Sequence, residues 1–596
     1  MTTAEGSQAA REYPDGSSSS PDGPSSSRAV PGEGPGQAAG GGSRRWVWAG
    51  LAVVLVGGLG LRLWGVRQGL PYAYNTDEAD HFVPHAIEMF GHSLNPHYFA
   101  NPPAYTYVLH YLFALAYGGT TGVQNAIATH PADVYTLARV AAALLGTFAL
   151  WLLYATGARL FGRGVGLLAA AIEGVAFLPV FYAHLALNDV PTLAPLTLSL
   201  LGSAGVLRKG RARDYLMGGV GLGLACASKY TAGIVLIPLA AATAASYLQA
   251  QPDAGRRTLG GIALAGVAAL AAFLIANPYA LLDYTDFHTE LVHQSTLSAE
   301  AQGKLGAPKD GGLAYYLWTL TWGLGWAPAL AAWGGALSVW WRERALGWVL
   351  VPAPLLYLAF MGLQGRYFGR WLLPIFPILC LLAALFAVQV VDALARRRPR
   401  LRVAATALLV AALLTQGLVY SVHAGMVLAR ADTRNLTRAW MVAHIPAGAP
   451  IVVEPVAPNG WATRWNKYPS LVSRISPTGA LESTTTAKVG IEDYERTLAP
   501  ALIGYYQAHG YCWVVSGSTE SGRAFADPQE VPLAVAYYRA LARNGRVVYR
   551  ASPYAPGQGP IAFGFDWSFD YYPLAYHRPG PYMTIYRLHG GRCARR

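Results

Sequence analysis

The polarity pattern divides the chain into three parts. Residues 1–43 are rich in Gly, Ser and Pro with almost no apolar content, and so predict a disordered tail. From Trp46 to position 424 long apolar runs alternate with short polar loops. A crossing of the hydrocarbon core takes about twenty residues. By that measure Trp46–Trp64 is a membrane anchor, followed by spans near 134–160, 165–185, 190–207, 214–228, 230–249, 258–278, 313–341, 345–363, 371–395 and 401–424. The apolar segment 104–118 is shorter and follows Pro102-Pro103. After position 425 the pattern changes. Helical periods at 432–444, 493–508 and 532–543 alternate with extended runs at Ile451–Glu454, Tyr511–Ser516, Arg546–Arg550 and Tyr582–Leu588, which reads as a small α/β domain.

Charge orients this pattern. Arg44-Arg45 before the first span holds the N-terminus in the cytoplasm. Arg159/Arg163, Arg208/Lys209/Arg211/Arg213, Arg256/Arg257, Arg342/Arg344 and the basic run from Arg396 to Arg402 mark alternate loops as cytoplasmic. Loop 67–133 then begins and ends outside. The segment 104–118 is therefore an interfacial or half-inserted helix, and residues 425–596 lie outside. The expected fold is an α-helical polytopic membrane protein of about eleven transmembrane helices with a C-terminal extracytoplasmic α/β domain. Its three parts are 1–43, 44–424 and 425–596, set in the cytoplasmic (inner) membrane.

Composition agrees. Of the 596 residues 53% are hydrophobic and only 13% charged, against about a quarter charged in soluble domains. The net charge of +13 sits in loops between spans, which argues for membrane topology and against nucleic acid. Four cysteines are too few for a disulfide framework. Cys226 and Cys380 fall in spans, and Cys512 and Cys593 leave one disulfide open.

The outward loops collect the reactive residues. The first holds Asn75-Thr76-Asp77-Glu78, Asp80, His81, His85, Glu88, His92 and His97. The second holds His184, Asn188 and Asp189. Lys229-Tyr230 follows the 214–228 span, Asp283, Asp286, His288, Glu290 and His293 lie in 279–312, and Arg366, Tyr367 and Arg370 precede the 371–395 span. Acids come from early loops and cations from later ones, all on one face. That arrangement suits an anionic lipid head group reacting with a hydroxyl: cations hold a phosphate and a carboxylate takes the proton. Asp189 alternatively caps the helix after it. Asp77, His81 and His85 form a possible set for a divalent cation. Glu173 lies inside a span, where an acid is expensive, and its default role is packing against a polar partner.

These motifs resemble the C-type (GT-C) glycosyltransferases, nearest to the protein O-mannosyltransferases and the lipid A aminoarabinose transferase. The resemblance rests on Asn75-Thr76-Asp77-Glu78, Phe99–Tyr105, Tyr182–Asp189, Gly223–Ala232, Asn277-Pro278-Tyr279 and Arg366–Pro374, in that order, over residues 46–424. It implies an enzyme that moves a sugar, with inversion, from a polyprenyl-phosphate donor to a hydroxyl acceptor at the outer face of the bilayer. Asp77 is then the general base, Glu78 positions it or the acceptor, and Asp189 assists at the sugar or orders the first loop. His81, Asn101, His184, Lys229, Tyr230, Arg366 and Arg370 would bind substrate, with the three cations on the lipid phosphate. No cofactor beyond that divalent cation is implied. Two positions depart from relatives: Asn101 stands where several carry Lys, and His184 where Arg is common. The rival reading is a lipid or sugar flippase without transferase activity. Against it, no internal repeat of the transporter kind is evident.

Overall fold

A computed structural model describes residues 41–248, 254–299, 305–307, 311–446, 449–456, 461, 470–475, 481–484, 494–564, 572 and 574–595. The predicted tail, 1–43, therefore falls largely outside the described residues, and of the helix expected at 493–508 the described part divides into a 3-10 turn, Tyr494–Thr497, and the helix Ala501–His509. Val47–Arg596 forms one compact unit and Met1–Trp46 another. Of the latter, 41–46 are helical.

Seven helices among the described residues are long and apolar enough to cross a membrane. The other predicted spans also fold as helix but are short or interrupted. Leu193–Lys209 and Ala212–Ser228 have 17 residues each. Arg163–Val175 breaks at Ala176 before Phe177–Tyr182, and Gly312–Leu320 reaches Trp326–Arg342 through a π-helical turn. The segment after Pro102-Pro103 forms the 14-residue helix Ala104–Tyr117, ended by Gly118 in the left-handed conformation (φ 76°) that glycine adopts without strain.

Glycine decides how close two of these helices approach. A Cβ at Gly202 would lie 2.3 Å from the Gly218 nitrogen, and one at Gly221 would lie 2.4 Å from the Ser199 nitrogen. The helices Leu193–Lys209 and Ala212–Ser228 thus pack backbone to backbone, as small residues allow in lipid. Their site-facing ends are tied as well, because the Asn188 amide donates to the Ser228 carbonyl at 2.7 Å. This brings Asp189, just before one helix, to Lys229, just after the other.

The C-terminal region is built on a six-stranded sheet: β1 (Ile451–Val453), β2 (Ser470–Ile475), β3 (Leu481–Thr484), β4 (Trp513–Gly517), β5 (Gly545–Ala551) and β6 (Met583–Leu588), in the order β3-β2-β1-β4-β6-β5. β1 runs parallel to β2 and β4, and the remaining pairs are antiparallel. β2 and β3 escape the polarity pattern because Ser473, Arg474, Glu482 and Ser483 interrupt their apolar residues. The helix Ser518–Ala526 also escapes it. Thr433–His444 starts at Asp432, whose carboxylate accepts the Arg434 amide. Cys512 and Cys593 form a disulfide that ties β4 to the chain end.

Three glutamates are buried together here. Glu454, Glu495 and Glu520 are each at most 2% exposed, and Arg523 meets Glu495 at 3.4 Å. Burial, reinforced by Glu520, pushes Glu454 well above the usual carboxylate range. Burial raises Glu520 against the pull of Arg523, and Glu495 rises to about 7 for the same reason. The folded state therefore keeps protons that the unfolded chain releases. The stability this contributes is lost as pH rises from the unfolded carboxyl value toward the folded ones. The unfolding temperature, followed by fluorescence on the full chain in detergent, is expected to fall between about pH 5 and pH 8. Glu454→Gln should flatten that slope, and an unchanged slope would show that these carboxyls are not the source.

Candidate functional site

Loop 67–103 lies over the ends of the helices. Asp77 precedes a π-helical turn, Glu78–Phe82, that points Glu78 and Phe82 inward. The Asn75 side chain accepts the Glu78 amide at 3.3 Å. Adjacent acids thereby take opposite roles.

Asp77 is 31% exposed at its side chain and accepts from Arg370 at 2.5 Å. The Arg370 guanidinium also reaches Asp189 at 3.8 Å, and Lys229 donates to the other Asp189 oxygen. Two acids and two cations from four separate segments therefore form one chain: Asp77, Arg370, Asp189, Lys229. Tyr182 and Phe368 flank the guanidinium, with ring centroids 5.9 and 5.1 Å from its carbon. Burial alone raises the Asp77 carboxyl. Arg370, then His81 and Lys229, outweigh it and leave Asp77 below its ordinary range. Burial raises Asp80, assisted by Asp77 and opposed by His81.

Glu78 is fully buried. Both its oxygens accept from Arg139 at 2.7 Å, and one also accepts the Ala186 amide at 2.9 Å. Arg139, itself fully buried, donates further to the carbonyls of Val66 and Gln68 at 2.9 and 2.8 Å. Glu78 is thus a lock between the first loop, the Pro131–Leu160 helix and the 183–189 turn. His184 is similarly buried, its ring nitrogens 3.1 and 3.0 Å from the carbonyls of Phe181 and Trp64. His184 departs from the expectation of substrate contact, because backbone carbonyls already occupy its ring nitrogens, and of the two roles expected for Glu78 its buried bonds fit positioning Asp77 rather than meeting the acceptor. Asp189 likewise does not cap the next helix; Thr192 stands at that cap, and its hydroxyl donates back to the Asn188 carbonyl at 2.6 Å instead of capping.

The remaining expected residues form a second layer. His81 and His85 stack on Tyr98 at 4.8 and 4.7 Å. Burial lowers His85, with Glu88 opposing at 3.1 Å. Asn101 donates to the Tyr98 hydroxyl at 2.7 Å, and burial, with Asp77 nearby, raises that phenol. Tyr230 donates to the Phe99 carbonyl at 2.9 Å. Arg366 lies on the turn before Arg370, its main-chain N–H donating to the Ser298 carbonyl at 3.2 Å. Glu290 accepts the amides of Phe99 and Ala100, the latter at 2.8 Å, so the loop 279–312 braces the first.

The C-terminal region also holds the first loop, at residues 69–74. Tyr74 donates to Asn435 at 2.5 Å, and the Arg434 guanidinium lies 3.6 Å from its ring centroid. Arg438 sits 5.3 Å over Tyr72, and Asn435 donates to the carbonyls of Gly69 and Leu70 at 3.0 and 3.3 Å.

Residues 132–281 match the model of the dolichyl-phosphate-mannose-protein mannosyltransferase family. The matched segment holds Asp189 and Lys229 but neither Asp77 nor Arg370. The structure aligns over 88% of this chain with 75% of the apo oligosaccharyltransferase of Archaeoglobus fulgidus, at TM-score 0.51 and 15% identity. The chain has the GT-C glycosyltransferase fold. ArnT from Cupriavidus metallidurans, solved with undecaprenyl phosphate, is also similar, at TM-score 0.47 and 14% identity over 91% of this chain and 98% of that one. No curated protein matches in sequence.

Within this GT-C fold the expected metal set does not converge. Among the described residues the group whose ligand atoms come together is His97, Asp283 and Asp286, within 4.8 Å, rather than Asp77, His81 and His85. Their side chains are 65%, 25% and 56% exposed, and Asp283 already accepts from the Asn95 amide at 2.6 Å, so nothing there demands an ion. Glu290 was among the reactive residues of loop 279–312, whereas Arg139 was not singled out by sequence. For Arg139 a signal exists, since a cation inside a predicted span needs a buried partner. Glu173, also inside a span, is met by Arg62 through its backbone: Arg62 donates to the carbonyls of Glu173 and Gly174 at 3.5 and 3.1 Å.

Proposed function

We propose that the chain is an inverting glycosyltransferase that moves a sugar from a polyprenyl-phosphate donor to a hydroxyl acceptor at the outer face of the cytoplasmic membrane. The observation that carries this reading is the linked set Asp77, Arg370, Asp189 and Lys229. In the free protein the two acids neutralise the two cations. An arriving lipid phosphate competes for Arg370 and Lys229 with bidentate, charge-assisted hydrogen bonds. As Arg370 turns to the phosphate, the Asp77 carboxyl loses its main stabiliser, its pKa climbs, and it becomes a better base. The acceptor hydroxyl then attacks the anomeric carbon while Asp77 takes its proton. The carbon–oxygen bond to phosphate breaks with its electron pair on the phosphate, where Lys229 and Arg370 stabilise the charge. One displacement inverts the anomeric centre.

Asp189 orients both cations, and Arg366 extends the basic surface beside them. His81, Tyr98 and Asn101 line the sugar side. Glu78 and His184 hold the frame and do not touch substrate. A divalent cation is compatible with His97, Asp283 and Asp286, and no step is routed through one. Eleven crossings with residues 425–596 outside accord with the basic loops, and the Cys512–Cys593 disulfide supports an oxidising compartment for that region.

Transfer of labelled sugar from a polyprenyl-phosphate donor by the reconstituted chain tests the reading. Lipid movement without transfer would replace it by the flippase. Arg434 offers a subtler check as a positioning residue. Arg434→Ala should lower kcat roughly ten- to a hundredfold by loosening Tyr74 and the loop behind Asp77, while donor KM stays within about twofold. A rise in donor KM with kcat intact would count against that role.

A further inference from the structure

Beside β4 lies a cavity of about 400 Å³, within the range of small-ligand sites. It opens between the start of the Ser518–Ala526 helix and residues 554–564, 572 and 576–582. Tyr554, Tyr576, Phe525 and Phe563 supply aromatic walls, and Ser518, Thr519 and Ser521 supply hydroxyls. Tyr554 and Tyr576 meet edge to face at 5.2 Å, so the aromatic wall is packed in place. Among its described lining residues Arg434 is the only charged one, and Asp432 neutralises it through bonds of 2.9 and 2.8 Å.

That lining selects a ligand class. A net-neutral wall repels neither charge sign but offers no desolvated ion a partner, so an anionic or cationic ligand gains little. Flat aromatic faces suit the apolar C–H faces of a sugar ring, and the hydroxyls of Ser and Tyr exchange hydrogen bonds with its rim. A polypeptide acceptor would more naturally add along a strand edge or use a charged groove.

The cavity also communicates with the reacting groups by two routes. Arg434, on its wall, stacks on Tyr74 at 3.6 Å, three residues before Asp77. Tyr572, another lining residue, packs on Phe181 at 5.8 Å. Phe181 meets Tyr182 at 5.5 Å, and Tyr182 lies under Arg370. We propose that this cavity is an acceptor subsite that holds a neutral carbohydrate, so that the acceptor of the reaction is a glycan whose non-reacting sugar units bind here. The word acceptor rests on the glycosyltransferase reading, whereas the carbohydrate site itself does not. Binding energy gathered at such a remote unit orients the hydroxyl presented to Asp77.

The test uses the full chain in nanodiscs and saturation-transfer NMR. The probes are mannotriose, maltotriose, arabinotriose and chitotriose, with a Ser/Thr-rich decapeptide as the alternative. At least one trisaccharide should receive saturation, and the peptide should not. Ser521→Trp, which fills the cavity, and Tyr554→Ala, which removes a stacking face, should each weaken that signal about tenfold or more. Elution profile and unfolding temperature verify that each variant is folded, and if the tryptophan variant is not, Tyr554→Ala decides. No trisaccharide signal, a signal that survives in the folded variants, or peptide binding that the variants abolish would each overturn the proposal. Trisaccharide binding by a chain that never transfers sugar from polyprenyl phosphate would remove the acceptor role and the glycosyltransferase reading, leaving the carbohydrate site standing.

Discussion

Asp77→Asn is expected to leave a folded protein that binds donor and transfers sugar about 10² to 10⁴ times more slowly, the usual contribution of a general base. The exchange is nearly isosteric, and Arg370, 13% exposed, keeps Asp189 at 3.8 Å, so no buried cation is stranded. The amide still accepts from Arg370 but takes no proton from the acceptor. The informative readout is the division between kcat and KM. If Asp77 served only to neutralise Arg370, the variant would free that cation and tighten donor binding while turnover held. Single-turnover transfer and donor titration separate the two outcomes. Transfer within a fewfold of the parent rate would end the assignment of Asp77 as base.

The largest structural effect is expected at Arg139. Arg139→Ala strands the Glu78 carboxylate at zero exposure and leaves the carbonyls of Val66 and Gln68 without their donor. Breaking a buried ion pair from one side costs about 3–5 kcal/mol. That is comparable to a large share of a domain's total stability. The variant should therefore unfold at far lower temperature, or fail to accumulate. Glu78→Gln should be milder, since the amide oxygen still accepts from Arg139 and from Ala186. Replacing both by leucine should recover part of the loss, because an apolar pair leaves no buried charge. Thermal unfolding of the three proteins in one detergent measures this order. A melting temperature for Arg139→Ala close to that of the parent would show that the pair carries little of the fold.

Both expectations concern neighbours in sequence, Asp77 and Glu78, with different fates. An acidic pair in an outward loop reads the same at either position. The π-helical turn that begins at Glu78 rotates the second acid inward and leaves the first at the cleft. No spacing rule reports that rotation, because it depends on what the Pro131–Leu160 helix offers beneath. Arg366 and Arg370 present the same problem. They lie four positions apart in a single motif, yet Arg370 is the one that bridges Asp77 and Asp189. The role of the C-terminal region was hidden for a plainer reason. Tyr74 and Asn435 are 361 positions apart, and no local window joins them.

What the sequence determined by itself is whatever depends on averages over one segment. The apolar runs became helices, the short run after Pro102-Pro103 became a 14-residue helix, and the four most apolar C-terminal runs became strands. Hydrocarbon and backbone hydrogen bonding act on every residue of a run alike, so partial information suffices. The order of the loop motifs likewise pointed to the GT-C fold. Only the tertiary structure decided which cation meets which acid, that Glu78 and His184 belong to the frame, that Cys512 bonds Cys593, and that Tyr74 is held by Arg434 and Asn435. Such pairings turn on helix rotation and on ångström-scale approach through residues such as Gly202 and Gly221. A short-range polar contact is made or lost within one ångström, and hydropathy does not resolve that distance.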